Sequence, residues 1–334
     1  MENVRKKKPQ VAEGFQKDNI LNRSQKRLIF YVLMMALPVI QFCIFYIYVN
    51  INTVRLAFIE FKPNTVTGIG YISSWNAAEN FKDAWSFFTT NIGMVKNSAI
   101  LFLCQTGIVM TLALVFSYYI CKNYMLSGFF RATLYLPHII SQVVLVLLYK
   151  YMLTDVYMEL CEIFTGEKAP YGLLDLPGES GANIKFWVIV IYNLWIGFGS
   201  NVLIFTGTMS GIDGSIIESA QLDGVNIIQE FIHIYIPMIF PTFTTFLVTG
   251  MCGLLTADMH LFTFYGESGA GTLDTFGYFM YRNTLKRSNM YEPAGPGSLS
   301  YPVQSALGVI MTCIMVPLTL IVRKLLETYG PRTD

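Results

Sequence analysis

The residue types that most often carry chemistry in proteins do not group together in this sequence. His138, His233 and His260 stand alone, without a second histidine at helical spacing to form a metal site. The six cysteines, at positions 43, 104, 121, 161, 252 and 313, show no paired spacing. We therefore expect neither a disulfide framework nor a zinc site. No serine elbow and no carboxylate pair in a cleft-like context is visible, so nucleophilic catalysis is not predicted.

One glycine-rich string invites comparison with a phosphate-binding loop. Residues 266–272 read GESGAGT. A phosphate-binding loop needs a lysine after its last glycine, a strand before it and a helix after it. Thr272 stands where that lysine should be. We interpret the string as a flexible outer loop, so that any use of ATP would go through a partner.

The elements that hold these residues follow from composition. Hydrophobic residues make up 53% of the 334 positions and charged residues only 13%, about half of the ~25% usual in soluble domains. Six apolar stretches have the roughly 20 residues that cross a bilayer as a helix. They are residues 28–49, 99–121, 132–153, 186–209, 236–255 and 303–322. Hydrocarbon cannot hydrogen-bond a free backbone, so an all-α membrane protein with six transmembrane helices is predicted.

The basic residues predict that both termini are cytoplasmic. Residues 1–27, a basic N-terminal segment, contain eight lysines and arginines, and positive charge beside a first span holds that side inside. Lys122 and Arg131 in a later short loop agree, as does the tail at residues 323–334. The six-span domain then covers residues 28–322. Three longer segments, at 50–95, 155–184 and 257–301, are predicted outside.

A cytoplasmic loop at about residues 210–236 departs from this charge pattern. It has no lysine or arginine, and its acids are Asp213, Glu218, Asp223 and Glu230. A helix is predicted over 215–222, and Gly224 can adopt the left-handed conformation that ends a helix.

From residue 226 the chain can restart as an amphipathic helix on the membrane surface. Its polar face would comprise Asn226, Gln229, Glu230 and His233, and its apolar face Val225, Ile228, Ile232 and Tyr235. Pro237 would then open the next span, where a missing N–H is harmless.

The same loop resembles the EAA loop of ABC importer permeases. That family pattern reads E-A-A, two residues, D-G-A, then F, I, L-P and a final P. The matching residues here are Glu218-Ser219-Ala220, Asp223-Gly224, Phe231, Ile234, Pro237 and Pro241. Ser219 and Val225 replace alanines, Ile236 replaces a leucine, and Asp213 stands where a proline often precedes the helix.

Other stretches of the sequence are similar to the carbohydrate branch of this family, which includes maltose, oligosaccharide and polysaccharide permeases. They are SWNAAENFKDAW, VKNSAIL, FRATLYLPHIIS, LDTFGYFMYRNTLKRS and YPVQSALGVIM.

The resemblance implies a type I importer permease fold in a bacterial cell membrane. It implies a second permease subunit, two ATPase subunits below, and an extracytoplasmic solute-binding protein above. The chain itself would bind no cofactor, because ATP and Mg would belong to the ATPases, and it would contact lipid but no nucleic acid. The loop would be the coupling helix, with Glu218 paired to basic residues of an ATPase. The implied coupling residues are Glu218, Ser219, Ala220, Asp223 and Gly224.

Two polar helix faces are candidates for a substrate pathway. Asn193, Gly197 and Ser200 share one face of the fourth span, and Thr242, Thr245 and Thr249 share one face of the fifth. Such faces either line a pathway or allow close helix packing, and the sequence leaves both open. Tyr192 and Trp195 could stack on a sugar or simply fill the core. The pathway candidates are Asn193, Trp195, Ser200, Thr245 and Thr249.

Other functions fit the sequence less well. A membrane enzyme would need acids or a nucleophile at membrane depth, and a self-powered carrier would need an internal repeat or coupling-ion ligands. A permease for another solute, such as glycerol phosphate, would favour basic residues in the pore. No basic residue lies in the middle of a predicted span, so a neutral sugar is favoured.

Overall fold

The computed structural model describes residues 23–63, 71–287 and 298–331. Most of the predicted basic segment at 1–27 lies outside these residues, as do parts of the outer segments at 50–95 and 257–301. The chain divides into two compact units, Met1–Arg55 and Leu56–Asp334. The described residues of the first unit are helical and belong to α1 (Ser24–Leu56), whose last residue is the first of the second unit.

The second unit opens with a small antiparallel hairpin. Strands β1 (Ile59–Pro63) and β2 (Tyr71–Trp75) pair with Ile59 opposite Trp75. The sequence does not predict this hairpin, because two strands of five residues are too short to give a clear alternating signal. The rest of the described chain is mostly helical, so the predicted all-α class of membrane protein is confirmed.

A short 3-10 turn lies at Gly271–Leu273, and ten α-helices follow the hairpin within the described ranges. They are α2 (Ala77–Thr90), α3 (Ile92–Cys121), α4 (Ser127–Ile139), α5 (Gln142–Thr165), α6 (Gly178–Ser210), α7 (Gly214–Leu222), α8 (Ile227–Gly253), α9 (Leu261–Tyr265), α10 (Phe276–Leu285) and α11 (Tyr301–Tyr329). Short π-helical turns lie inside α3 at Gln105–Met110, inside α5 at Met152–Val156 and inside α8 at Phe231–Tyr235.

Five of the described helices, counting α1, are each long and apolar enough to cross a membrane. They are α1, α3, α6, α8 and α11. Helices α4 and α5 make a sixth span if the pair is counted together, so the prediction of six apolar spans is confirmed at that level.

The prediction of a single helix over 132–153 is wrong, because this stretch is divided between α4 and α5, which meet at 100°. Pro137 lies in the last turn of α4, where its ring removes a backbone donor. Ile140 and Ser141 then adopt extended backbone between the two helices.

Helix α6 is the central packing element of the second unit. Its residues Val202, Phe205 and Met209 are buried against α3 and α8. The Ser117 hydroxyl of α3 donates to the Val202 carbonyl at 2.9 Å. Helix α4 crosses α6 at Gly199, where a Cβ atom would overlap the Leu134 carbonyl. Small residues allow this close approach of membrane helices.

We predict that Gly199→Ala destabilises the protein while Gly207→Ala on the same helix does not. An added methyl at Gly199 must displace the backbone of α4, whereas a methyl at Gly207 meets open space. Overpacking of this kind costs about 1–3 kcal/mol. The measurement is the melting temperature of the purified protein in detergent. Equal melting temperatures for the two variants would contradict the close packing of α4 on α6.

Candidate functional site

Helix α7 and the turn after it form an exposed loop between α6 and α8. The Asp213 carboxylate accepts a hydrogen bond from the Ser215 amide at 3.0 Å and so caps α7. This hydrogen bond lowers the pKa of the Asp213 carboxyl. The proline expected before the helix is therefore replaced by a capping aspartate. The predicted helix over 215–222 is present as α7.

Gly224 ends this loop in the left-handed conformation, with φ of +76°, as predicted. Two residues later a reciprocal pair of hydrogen bonds starts α8. The Asn226 side chain accepts from the Gln229 amide at 2.9 Å, and the Gln229 side chain accepts from the Asn226 amide at 3.2 Å. Both helices beside Gly224 therefore begin with a capped end, which defines where each of them starts.

The predicted coupling residues lie on the exposed side of this loop. Glu218, Ser219, Asp223 and Gly224 are exposed, while Ala220 is half-buried. On the other side Ile212 and Ile217 pack against the core. Leu222 is 89% exposed beside the acids. Sequence reasoning did not single out this residue.

The prediction of a separate surface helix from residue 226 is wrong. Helix α8 runs without interruption from Ile227 to Gly253, so Pro237 lies inside it and does not open the span. The π-helical turn Phe231–Tyr235 ends two residues before Pro237. Such a turn changes the hydrogen-bond spacing and lets the helix continue past the missing donor.

The predicted polar face of this segment is exposed only in part. Asn226, Gln229 and His233 are exposed, whereas Glu230, assigned to the same face, is buried. Glu230 pairs with Lys122, which follows α3. The Lys122 ammonium also lies 5.9 Å from the ring centre of Tyr118 and 5.7 Å from that of Tyr235.

A second candidate site is a cavity of about 400 Å³ among α3, α6, α8 and the turn after α8. Apolar side chains make up much of its wall. Its polar lining residues include Gln105, Asn193, Asn201, Thr249, Asp258 and His260. A moderately apolar cavity with a few amides, hydroxyls and one acid is typical of a small-molecule site.

Only two of the predicted pathway residues, Asn193 and Thr249, line this cavity. Trp195 is exposed outside it, and the Ser200 and Thr245 hydroxyls donate to carbonyls of their own helices, those of Gly197 and Pro241. Sequence reasoning missed Gln105, Asn201, Asp258 and His260. Asn201 could have been found, because it lies eight residues after Asn193 on the same helical face.

Asn193 holds the turn after α8 against α6. Its amide donates to the Ile189 carbonyl at 2.8 Å and to the Met259 carbonyl at 3.0 Å. Its oxygen lies 2.8 Å from Nδ1 of His260. Met259 and His260 both have positive φ, 55° and 60°, a conformation that persists only where surrounding contacts enforce it.

Burial lowers the pKa of His260, with a smaller opposing effect from Asp258. The imidazole is therefore neutral at pH 7. Its Nδ1 donates to the Asn193 oxygen, which can only accept.

We predict that Asn193→Ala lowers stability much more than Asn201→Ala. The first change leaves the Met259 carbonyl and the His260 ring without their partner, at a cost of about 1–3 kcal/mol. Asn201 lines the same cavity and makes no side-chain hydrogen bond to the described residues. Melting temperatures in detergent test this prediction. If Asn193→Ala melted like the wild type, the fastening role of Asn193 would be excluded.

A multi-pass helical protein with a polar cavity among its spans and an exposed loop between two of them has the form of a membrane permease. Residues 106–334 match the family described as binding-protein-dependent transport system inner membrane component. The chain belongs to this family. It is thus a permease component of such transport systems and a multi-pass protein of the bacterial cell membrane.

Relatives and a solved structure agree with this assignment. The lactose transport system permease protein LacF of Rhizobium radiobacter is 26% identical over 66% of this chain and 74% of its own length. The polygalacturonan/rhamnogalacturonan transport system permease protein YteP of Bacillus subtilis (strain 168) is 22% identical over 90% of this chain and 88% of its own length. A chain of a bacterial alginate ABC transporter, solved with an alginate pentasaccharide-bound periplasmic protein, has a TM-score of 0.67 at 18% identity. It covers 91% of this chain and 96% of its own, and it shares the fold.

Proposed function

We propose that this chain is one permease subunit of an ATP-driven importer of neutral sugars or oligosaccharides. The observation that carries the proposal is the path of α8. This helix begins directly after the exposed loop of α7 and Gly224, and its last turns line the cavity. One continuous helix thus joins a surface suited to a partner protein with a site suited to a solute.

The loop is the proposed contact with an ATPase subunit. It presents the exposed acids Glu218 and Asp223 together with the exposed apolar side chain of Leu222. A basic residue of the ATPase can form a charge-assisted hydrogen bond with Glu218. ATP and Mg would be bound and ATP hydrolysed by two such ATPase subunits, and this chain would hold no cofactor of its own.

The loop must then be cytoplasmic, which places both termini on the same side. Arg323 and Lys324 near the end of α11 agree with this orientation. A second permease subunit would complete the membrane part of the importer. A solute-binding protein would deliver the solute from outside, in line with the names of the family and of the structural neighbour.

A neutral saccharide fits the cavity best. Lys and Arg do not occur among the described residues that line it, and its single charged group is the acid Asp258. Amides and hydroxyls bind sugar hydroxyls by hydrogen bonds, whereas a phosphate or uronate would need cations. The cavity therefore favours neutral sugars over glycerol phosphate and over the acidic polysaccharides named for some relatives.

Purification of the tagged chain from its native membrane in mild detergent tests the assignment. We expect an ATPase, a second permease and a solute-binding protein to accompany it. The complex reconstituted in vesicles should take up neutral oligosaccharides in an ATP-dependent manner, and uronate oligosaccharides should not compete. A chain that is recovered alone and transports without an ATPase would overturn the proposal, and uptake of uronates alone would overturn the substrate class.

We predict that Gly224→Ala impairs uptake and that Gly214→Ala does not. Neither added methyl meets a neighbouring atom, but only Gly224 has positive φ. An L-residue pays about 1–2 kcal/mol in that conformation, and the loop relaxes away from the geometry that contacts the ATPase. Uptake should fall by roughly five- to thirtyfold. Uptake and recovery of the ATPase are measured side by side. Wild-type uptake by Gly224→Ala would exclude a role for the turn in coupling.

A further inference from the structure

The buried ion pair of Lys122 and Glu230 is not explained by the loop or by the cavity. Lys122 follows the end of α3, and Glu230 lies in the first turn of α8. Their side chains are only 17% and 6% exposed. Two charges rarely leave water in this way unless each has a partner, because their desolvation costs as much as their attraction returns. The ion pair therefore contributes little to the stability of the protein, but it fixes the position of the end of α3 relative to the start of α8.

Aromatic rings enclose this pair. Tyr118 and Tyr235 pack edge to face with ring centres 4.9 Å apart, and both rings contact the Lys122 ammonium. The Tyr118 ring also packs on Phe231 at 5.1 Å. The Tyr118 hydroxyl donates to the Ile227 carbonyl, the first residue of α8, at 3.4 Å. The enclosure lowers the local dielectric and strengthens the attraction between the two charges.

These contacts connect the end of α3 to the first turn of α8. Glu230 lies six residues after Gly224, at which the chain turns from α7 into α8. Apart from the ion pair, the start of α8 meets α3 through aromatic and apolar packing, one long hydrogen bond from Tyr118 and a contact between Tyr235 and Cys121. With the ion pair, any movement of the loop that shifts α8 must shift the end of α3 as well.

We propose that Lys122 and Glu230 form a latch that makes the adjoining ends of α3 and α8 move as one body during transport. This inference rests on the proposed function, because it assigns the latch to the step in which an ATPase moves the loop. Lys122 and Glu230 are positioning residues: they contact neither the solute nor ATP. Loss of the latch uncouples ATP hydrolysis from uptake without removing either partner from the complex.

The test compares the number of solutes taken up per ATP hydrolysed in the reconstituted complex. Lys122→Met and Glu230→Gln each leave one buried charge without its partner and lower this ratio, by about tenfold. The double variant Lys122→Met/Glu230→Gln removes both charges, retains stability and still shows the low ratio. The exchange Lys122→Glu/Glu230→Lys restores part of the ratio, because opposite charges again face each other.

A matched control is the ion pair of Arg323 and Glu327, whose side chains are 57% and 54% exposed. Its neutralisation by Glu327→Gln leaves the ratio unchanged, since an exposed pair contributes little. The latch is excluded if the double variant, folded and assembled, keeps the wild-type ratio. It is also excluded if the charge exchange recovers nothing beyond the double variant. A failure of the proposed function is distinguishable, because the wild-type complex itself would then show no ATP-dependent uptake.

Discussion

One constraint governs the whole structure: hydrocarbon offers no hydrogen-bond partner to backbone N–H and C=O groups. Each span satisfies its own backbone as a helix, so the difficulty arises where a helix ends or bends. Polar side chains meet the carbonyls of the intervening turns at several of these places. Asn80 donates to the Ala57 and Ile59 carbonyls, Asn193 to Met259, and Lys150 to Phe264. Asn97 likewise donates to the Thr272 and Asp274 carbonyls. Most of these polar groups are thus structural ties and not solute ligands.

Because these polar groups are bonded to the protein, fewer hydrogen-bonding groups of the cavity are free to bind a solute. Asn193 faces the cavity, but its amide hydrogens are already bonded to the protein. Gln105 likewise donates to the Asn193 carbonyl at 3.2 Å. The groups left to bind a sugar include the Asn201 amide, the Ser98 hydroxyl and the Asp258 carboxylate. The cavity keeps its shape because the strained turn at Met259 and His260 is held by the same asparagine, so a solute meets a largely preformed site.

The sequence predicts the features that depend on local chemistry, such as spans and helix ends. It misses the features that depend on contacts between distant segments. The spans follow from apolar length, and the end of α7 follows from Gly224. The spacing of Asn226, Gln229 and Glu230 predicts an exposed polar face, and Asn226 and Gln229 are exposed, but the spacing does not reveal that Glu230 is buried. Its burial goes with its pairing to Lys122, more than a hundred residues earlier in the chain. The bend after Pro137 and the lining residues Asp258 and His260 are likewise consequences of packing between distant segments.

Helix α8 explains why the start of the span must be held firmly. With 27 residues, it is about 40 Å long, and a helix of this length transmits a push along its axis better than it resists tilting. Its far end approaches α3 closely at Gly250, where an added Cβ would lie 3.2 Å from the Phe102 ring. Its near end meets the loop through Gly224, a residue with little conformational resistance of its own. A force applied at the loop could therefore be lost as a swivel about that glycine. The ion pair to α3, one turn into the helix, removes this freedom, so that a displacement of the loop must reach the cavity wall.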